Sequence, residues 1–340
     1  MYSSSKLPSS KKKSIAERAS EKKIILVVRR TRLDELIARF NTLAQAKFYV
    51  EHLGADFTDY QREDQQYKQA IINAETLLNH FGRVQVLNRD FLPNFIFAPD
   101  DTVVVLGPDG LVANTIKYLN GQPVIGVNPD PTRWEGVLLP FKLTELTKII
   151  PAVFAKDCAI REVTMAKATL NDGQSLYAVN DLFIGQKTHI SARYQIAVGE
   201  QTEQHSSSGI IVSTGLGSTG WFKSLLAGAT GITLALLKQG FQLEQAIERG
   251  HSLKKITAEP SFPWDANYLH FTVREPFPST TSKATLVFGK ISQQTPMRLI
   301  SQMPENGVIF SDGIENDFLT FNAGTHATID LAEKKGYLVS

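Results

Sequence analysis

Two glycine-rich segments carry the residue types best suited to chemistry on a phosphate or a hydroxyl. The first is Gly107-Pro108-Asp109-Gly110, which follows an apolar run and precedes a segment of helical character. Glycines there let backbone approach a phosphate, and a helix N-terminus offers free N–H donors to an anion. An aspartate on the same turn is placed to take a proton from a hydroxyl. The four residues also read as an ordinary Pro-Asp-Gly turn, which needs no function. The second segment is Ser213-Thr214-Gly215-Leu216-Gly217-Ser218-Thr219-Gly220-Trp221. Its Gly215-x-Gly217-x-x-Gly220 spacing is formally the dinucleotide fingerprint. However, the next acidic residue is Glu244, later than the expected ~20 positions, and the surroundings are β-rich. HRD and DFG are absent, so the loop is not that of a protein kinase. What remains is a glycine loop with four hydroxyl side chains, suited to hydrogen-bonding ribose or phosphate.

Other chemistries find little support. There is no GxxxxGK[ST] loop, and the seven histidines never take a metal-ligand spacing such as HExxH. No resident metal site is expected. The single cysteine, Cys158, excludes an internal disulfide and a cysteine-rich zinc site. It reads as a small buried side chain, not a nucleophile.

The elements that must position these loops follow from hydrophobic periodicity. Ile24 to Val28 is an unbroken apolar run, as expected for a strand covered on both faces. Leu33 to Leu53 and Gln65 to Phe81 have helical spacing. Arg83 to Leu87 and Asp101 to Leu106 read as strands, Leu111 to Leu119 as a helix, and Val124 to Val127 as a strand. Beyond Pro151 short alternating segments dominate: 161–170, 176–179, 181–184, 194–198, 210–213, 270–273, 285–288, 297–300 and 318–329. Only Ser218 to about Glu248 reads as helical, with a break at Gly228-Ala229-Thr230-Gly231. The expected fold is an α/β N-terminal domain, with a parallel sheet and flanking helices, followed by a mostly β C-terminal domain. The expected division is a disordered basic tail over 1–23, an α/β nucleotide-binding domain over 24–150 and a β-rich domain over 151–330. Residues 331–340 are expected to return to the first domain.

Charge is unevenly placed. The chain has 36 Lys and Arg against 34 Asp and Glu, yet residues 1–30 alone sum to +7 and the other 310 to −5. A net negative body is not the electrostatic footprint of a nucleic-acid-binding domain. Neither a nucleic acid nor a membrane is therefore an expected partner. The apolar stretch Leu225 to Leu237 falls short of the ~20 residues that span a bilayer. No export signal is recognised, because Ile24 to Val28 is shorter than the roughly 7 to 15 apolar residues one needs. The expected compartment is the cytoplasm, or the mitochondrion for a eukaryotic source.

Several stretches, taken in order, resemble the NAD kinase family, and its mitochondrial-type branch in particular. Val103 to Gly110 resembles the family's strand and GGDG motif. Pro123 to Pro131, continuing to Glu135-Gly136, is similar to the branch's PVIGVNTDP…EG segment. Val179-Asn180-Asp181-Leu182-Phe183-Ile184-Gly185 resembles the NE motif with Asp for Glu. Ser191 to Tyr194 and Ser208-Gly209 resemble the approach to the long glycine motif, Ser213 to Trp221 the motif itself, and Ser311-Asp312-Gly313 the late DG element.

The resemblance implies an ATP-dependent phosphotransferase acting on the 2′-hydroxyl of the adenosine ribose of NAD to give NADP. It also implies Mg²⁺ carried by ATP, a homodimer, and an active site in a cleft between two domains. Carried over by position, Asp109 would be the acid–base residue. Asn180 and Asp181 would bind NAD. Gly107, Gly110, Ser213, Thr214, Gly215, Gly217, Ser218, Thr219 and Trp221 would line the nucleotide site, with Asn128 in support. Three positions depart from the pattern: Pro108 removes a backbone N–H, Leu111 replaces a threonine, and Trp221 replaces a tyrosine. They leave open a catalytically altered homologue that regulates by binding nucleotide, or that acts on another hydroxyl such as a sugar's.

Overall fold

The computed structural model describes residues 19–238 and 261–340. Most of the basic arm and the last part of the long helical stretch lie outside the described residues. The chain begins as an α/β unit. Strand β1 (Lys23–Val28) is followed by α1 (Arg32–Phe40), α2 (Leu43–His52) and α3 (Phe57–Leu78). Next come β2 (Arg83–Asn88), β3 (Thr102–Leu106), α4 (Asp109–Ile116), β4 (Pro123–Asn128), the two-residue β5 (Phe141–Lys142) and α5 (Leu146–Ala155). β1 to β4 pair in parallel in the order β4-β3-β1-β2. The apolar runs of β1, β3 and β4 are buried on both faces, with Val103 to Leu106 fully so, whereas β2 at the edge is largely exposed. One face packs on α3 and α5 through Tyr67, Ala74, Leu78 and Ile150, the other on α4 through Val112 and Ile116.

The second unit is mostly β. It comprises β6 (Ile160–Leu170), β7 (Ser175–Ala178), β8 (Asp181–Gln186), β9 (Ala192–Val198), β10 (Gln201–Ser207) and β11 (Ile210–Ser213). After α6 (Trp221–Lys238) follow β12 (Leu269–Val273), β13 (Phe288–Ile291), β14 (Met297–Ser301), β15 (Gly307–Ser311), β16 (Ile314–Thr320) and β17 (His326–Val339). A six-stranded sheet runs β13-β12-β11-β8-β15-β16, and the remaining strands join the parallel strands in one eleven-stranded sheet. The core between the two sheets contains Tyr194, Ile196, Phe271, Leu299 and Phe321. The long strand β17 makes the connection. It runs antiparallel to β6, and at Tyr337 and Leu338 it pairs in parallel with Pro123 and Val124 of β4.

The fold class agrees with the periodicity, and local differences have local causes. The helical span 33–53 is divided at Asn41, left-handed at φ 66°, after which the Thr42 side chain caps α2 by accepting from the Gln45 N–H. Helix α3 starts eight residues before Gln65 because Asp56 caps it. Helix α5 crosses the expected 150/151 boundary with Pro151 inside it. Span 318–329 is two strands separated by a turn at Gly324, φ 85°. The strand expected at 285–288 lies at β13, and β10 and β15 are additions.

Helix α6 is continuous through Gly228 and Gly231 and buries only Phe222, while Ile232, at 65 % exposure, Leu234 and Leu236 face outward. Counted from Gly217, it is long and apolar enough by length and composition to cross a bilayer, beyond the shorter stretch read from the sequence. Its first residues, Trp221 and Phe222, pack instead against the second unit: Trp221 against Phe183 of β8, Phe222 beside His270 and Phe288.

Candidate functional site

The chain leaves β1 toward β2 on one side and returns to β3 on the other, so the strand order reverses between β1 and β3. Ligands in open parallel sheets bind outside the carboxyl ends of strands at such a reversal. The turn Gly107-Pro108 leaves β3 at this point. Gly107 is buried, and a Cβ there would stand 2.7 Å from a Leu111 methyl. Pro108 is the N-cap of α4 with φ −75° and supplies no side-chain cap, so Asp109 opens the helix. Leu111 is turned into the core and is not part of the cleft wall.

Asp109, Gly110, Val137 and Leu138 form one wall of a cleft of about 390 Å³. The opposite wall is Asn180 and Asp181, then Leu216, Gly217, Thr219, Gly220 and Trp221, with Asp312 and Gly313 closing it. Segments from positions near 109, 180, 216 and 312 thus meet at one place. A larger cavity of about 770 Å³ lies at the other end of the parallel strands, beside Lys22, Lys23, Asp101, Phe154, Cys158 and Tyr337. It adjoins the amino ends of β1 and β3 and holds none of the glycine segments, so the smaller cleft is the candidate site.

Asp109 does not point freely into the cleft. Its Oδ1 accepts from the Leu138 N–H at 2.7 Å and its Oδ2 from the Val137 N–H at 3.2 Å. Each oxygen keeps a second lone pair. Asn128 holds the segment that supplies those amides: its Nδ2 donates to the Trp134 carbonyl at 2.9 Å and its Oδ1 accepts from the Asp130 N–H at 3.0 Å. Asn128 lies behind the cleft. The Gly107 turn is fixed by Tyr67, whose hydroxyl donates to the Leu106 carbonyl at 2.6 Å. Burial pushes that phenol up to about 12. Arg29, Arg32 and Arg133 are paired alongside with Glu63 and Asp59, so each guanidinium already has a carboxylate partner. Hydrogen bonds from Arg133 and Arg32 hold the Asp59 carboxyl below the usual carboxylate range.

The glycine loop is built mainly by its own hydroxyls. Ser213, Thr214 and Ser218 are fully buried. The Thr214 hydroxyl donates to the Val179 carbonyl at 2.5 Å and accepts from the Gly217 N–H at 3.1 Å. Ser213 donates to the Thr214 carbonyl and Ser218 to the Gly215 carbonyl. These three shape the turn, and Thr219 is the hydroxyl that reaches the cleft. Gly215 is pressed against the Pro263 carbonyl, where a Cβ would lie 1.9 Å away, so it too is structural. Trp221 stacks on Phe183 at 5.8 Å between centroids, with the Arg274 guanidinium 5.2 Å from its ring.

Asp312, left-handed at φ 56°, accepts from the backbone N–H groups of Val179, Asn180 and Asp181, with the Asn180 bond at 2.7 Å. It therefore sets the path of the Asn180-Asp181 corner. The Asp181 carboxyl is pushed up to about 7 by burial and, next, by the Asp312 charge. That lies above the ~3.9 of a free aspartate. The folded chain accordingly keeps a proton that the unfolded chain releases. The stabilisation this gives is complete below about pH 4 and is lost as pH rises through about 7. Melting of the unmodified chain and of Asp181→Asn should show it. The unmodified chain falls relative to the variant between pH 4 and 7 and runs level above, whereas a constant gap would mean that Asp181 titrates like a free carboxyl.

Sequence reasoning missed Lys117, Asp317, Tyr67 and the Val137 and Leu138 amides. The one available signal was Lys117, a cation within the apolar stretch Leu111 to Leu119. Among the described residues no group of three or more His, Cys, Asp or Glu is placed to hold a metal ion.

No family model and no curated protein sequence matches the chain. Among solved structures it is similar to an NAD kinase from Archaeoglobus fulgidus in complex with ATP, with a TM-score of 0.53 at 14% identity over 94% of this chain and 93% of that one. It is also similar to yeast NADH kinase complexed with NADH, with a TM-score of 0.52 at 14% identity over 94% of this chain and 84% of that one. At such identity the likeness establishes a shared fold.

Proposed function

We propose that the chain uses ATP to phosphorylate the 2′-hydroxyl of the adenosine ribose of NAD, yielding NADP and ADP. The observation that carries this reading is the convergence of the Asp109 turn, the Asn180-Asp181 corner, the glycine loop and the Asp312 turn on one cleft. The shared fold with kinases of NAD and NADH supports it. In this reading Asn180 and Asp181 take the ribose and nicotinamide portion of NAD, and Asp109 faces the acceptor hydroxyl. The hydroxyl oxygen attacks the γ-phosphorus, its proton passes to Asp109, and the bond to the β-phosphate oxygen breaks to release ADP. Such a transfer needs positioning and charge neutralisation more than covalent help, so Mg²⁺ arriving on ATP and the N–H groups at the start of α4 serve that role. A homodimer and a cytoplasmic location, mitochondrial for a eukaryotic source, belong to the same reading.

Pro108 favours a second reading, a nucleotide-binding regulator, because the turn lacks one backbone donor at the N-cap of α4. Purified chain incubated with ATP, Mg²⁺ and NAD decides between them. The first reading expects NADP; the second expects calorimetric binding of NAD without product, and recovery of product in Pro108→Gly. If neither product nor binding is found under varied donors, both readings fail.

A further inference from the structure

We infer that Lys117 is a positioning residue for the cleft: its ammonium, carried on the far end of α4, fixes the β15–β16 turn and, through Asp312, the backbone of residues 179–181. Lys117 is 3% exposed, and a lysine is almost never buried unless it is paired. Its Nζ donates to Ser311 Oγ and to Asp317 Oδ2, both at 2.7 Å, and lies 3.9 Å from Asp312 Oδ2. Tyr118 secures the same Asp317 oxygen by donating to it at 3.1 Å. Asp312 in turn collects the three N–H groups of the Asn180-Asp181 corner.

The helix that delivers Lys117 opens with Asp109 in the opposite wall. Its far end is also held from the second unit, because Lys334 of β17 donates to the carbonyls of Lys117 at 2.8 Å and Leu119 at 3.0 Å. An eight-residue helix is about 12 Å long. One short rod therefore sets the spacing between Asp109 and the Asp312 corner, with Lys117 as its bolt.

The charge of Lys117 matters as well as its reach. Asp181 is faced by Asp312 from the turn and lies across the cleft from Asp109, while Asp317 and Tyr118 lie beyond Asp312. In the row of the sheet that holds Asp181, Ser213 is next, followed by His270 and Lys290. Among the described ion pairs, Lys117 is the cation that lies beside the Asp312 carboxylate, at 3.9 Å. Burial already disfavours ionisation of both groups. Without the ammonium Asp312 ionises less readily, and the corner loses its charged acceptor.

The functional readout rests on the proposed NAD site, whereas the positioning itself is tested without ligand. Hydrogen exchange of the Val179, Asn180 and Asp181 amides is compared in the unmodified chain, Lys117→Met, Lys117→Arg and Asp317→Asn. Lys117→Met should speed those amides tenfold or more while β1 and β3 stay protected, and Lys117→Arg, which keeps the charge, should restore most of the protection. Calorimetry from pH 6 to 9 should show NAD affinity falling at least tenfold in Lys117→Met, ATP affinity changing less than twofold, and the acid limb of NAD binding moving to higher pH. In Asp317→Asn, which removes a competing carboxylate and leaves Lys117 in place, that limb should move to lower pH.

Unchanged exchange at 179–181 in Lys117→Met overturns the inference. So does an arginine variant no better than methionine, or an acid limb that moves the same way in the methionine and Asp317→Asn variants. If Lys117→Met does not fold, the other two variants decide it against the unmodified chain: exchange at 179–181 tenfold faster in Lys117→Arg, or an acid limb that does not move to lower pH in Asp317→Asn, overturns the inference. An unmodified chain that binds no NAD defeats the proposed function, and the amide exchange still decides the role of Lys117.

Discussion

Asp109→Asn is expected to lower NADP formation by about 10²- to 10⁴-fold, the range a positioned general base contributes, with NAD and ATP binding altered only a few-fold. The geometry explains why binding should survive. The stronger of the two backbone bonds, from Leu138 at 2.7 Å, keeps an oxygen acceptor in the asparagine. The new amide N–H faces the Val137 N–H instead, but that contact is the longer one, at 3.2 Å, and Val137 is exposed, so its N–H can turn to water. Asp109→Ala should behave differently. It removes both acceptors, frees the 137–138 segment and weakens nucleotide binding as well as turnover. Measuring kcat alongside calorimetric Kd separates the two variants. An asparagine variant that keeps more than a tenth of kcat would remove Asp109 from proton transfer.

How much of this was legible in the sequence depends on the kind of force involved. Strands β1, β3 and β4 were, because fully buried parallel strands need unbroken apolar runs such as Val103 to Leu106. Strand β10 was not, because its Gln201-Thr202-Glu203-Gln204-His205 stretch is polar and is held by pairing with β9, not by an apolar pattern. The division of the first long helix was hidden in Asn41 and Thr42, where a left-handed residue and a cap override a continuous periodicity. At the site, residue types pointed to the correct segments but not to their partners. Nothing local in Ser213-Thr214 says that the hydroxyls close their own loop instead of facing a ligand. Nor can spacing show that Asp312 reaches back over 130 positions to bind three amides. Long-range polar contacts leave no period in the chain, so Lys117 was visible only as an unexplained charge in an apolar helix.

The second large effect is expected at Gly217, and it follows from one of those long-range contacts. An alanine Cβ there would stand 2.0 Å from the Asn180 carbonyl oxygen, 2.5 Å from its carbon and 2.9 Å from the Asn180 Cα. All three are backbone atoms, so no side chain can swing aside. The Asn180 carbonyl also accepts from the Thr214 N–H at 3.0 Å, while Asp312 holds the Asn180 N–H on the other side. The clash therefore has to move either the glycine loop or the corner that carries Asp181. Overpacking of this kind costs about 3 kcal/mol, which corresponds to a fall in Tm of about 4 °C for a chain of this length. NAD affinity should fall with it, since both displaced segments line the cleft. Gly228→Ala is the control. Its Cβ meets nothing within 4 Å, and alanine in a helix interior is favoured over glycine by roughly 1 kcal/mol, so Tm should hold or rise. If the two variants melt alike, the approach of the loop to Asn180 is looser than 2.0 Å, and Gly217 is not what brings the two walls together.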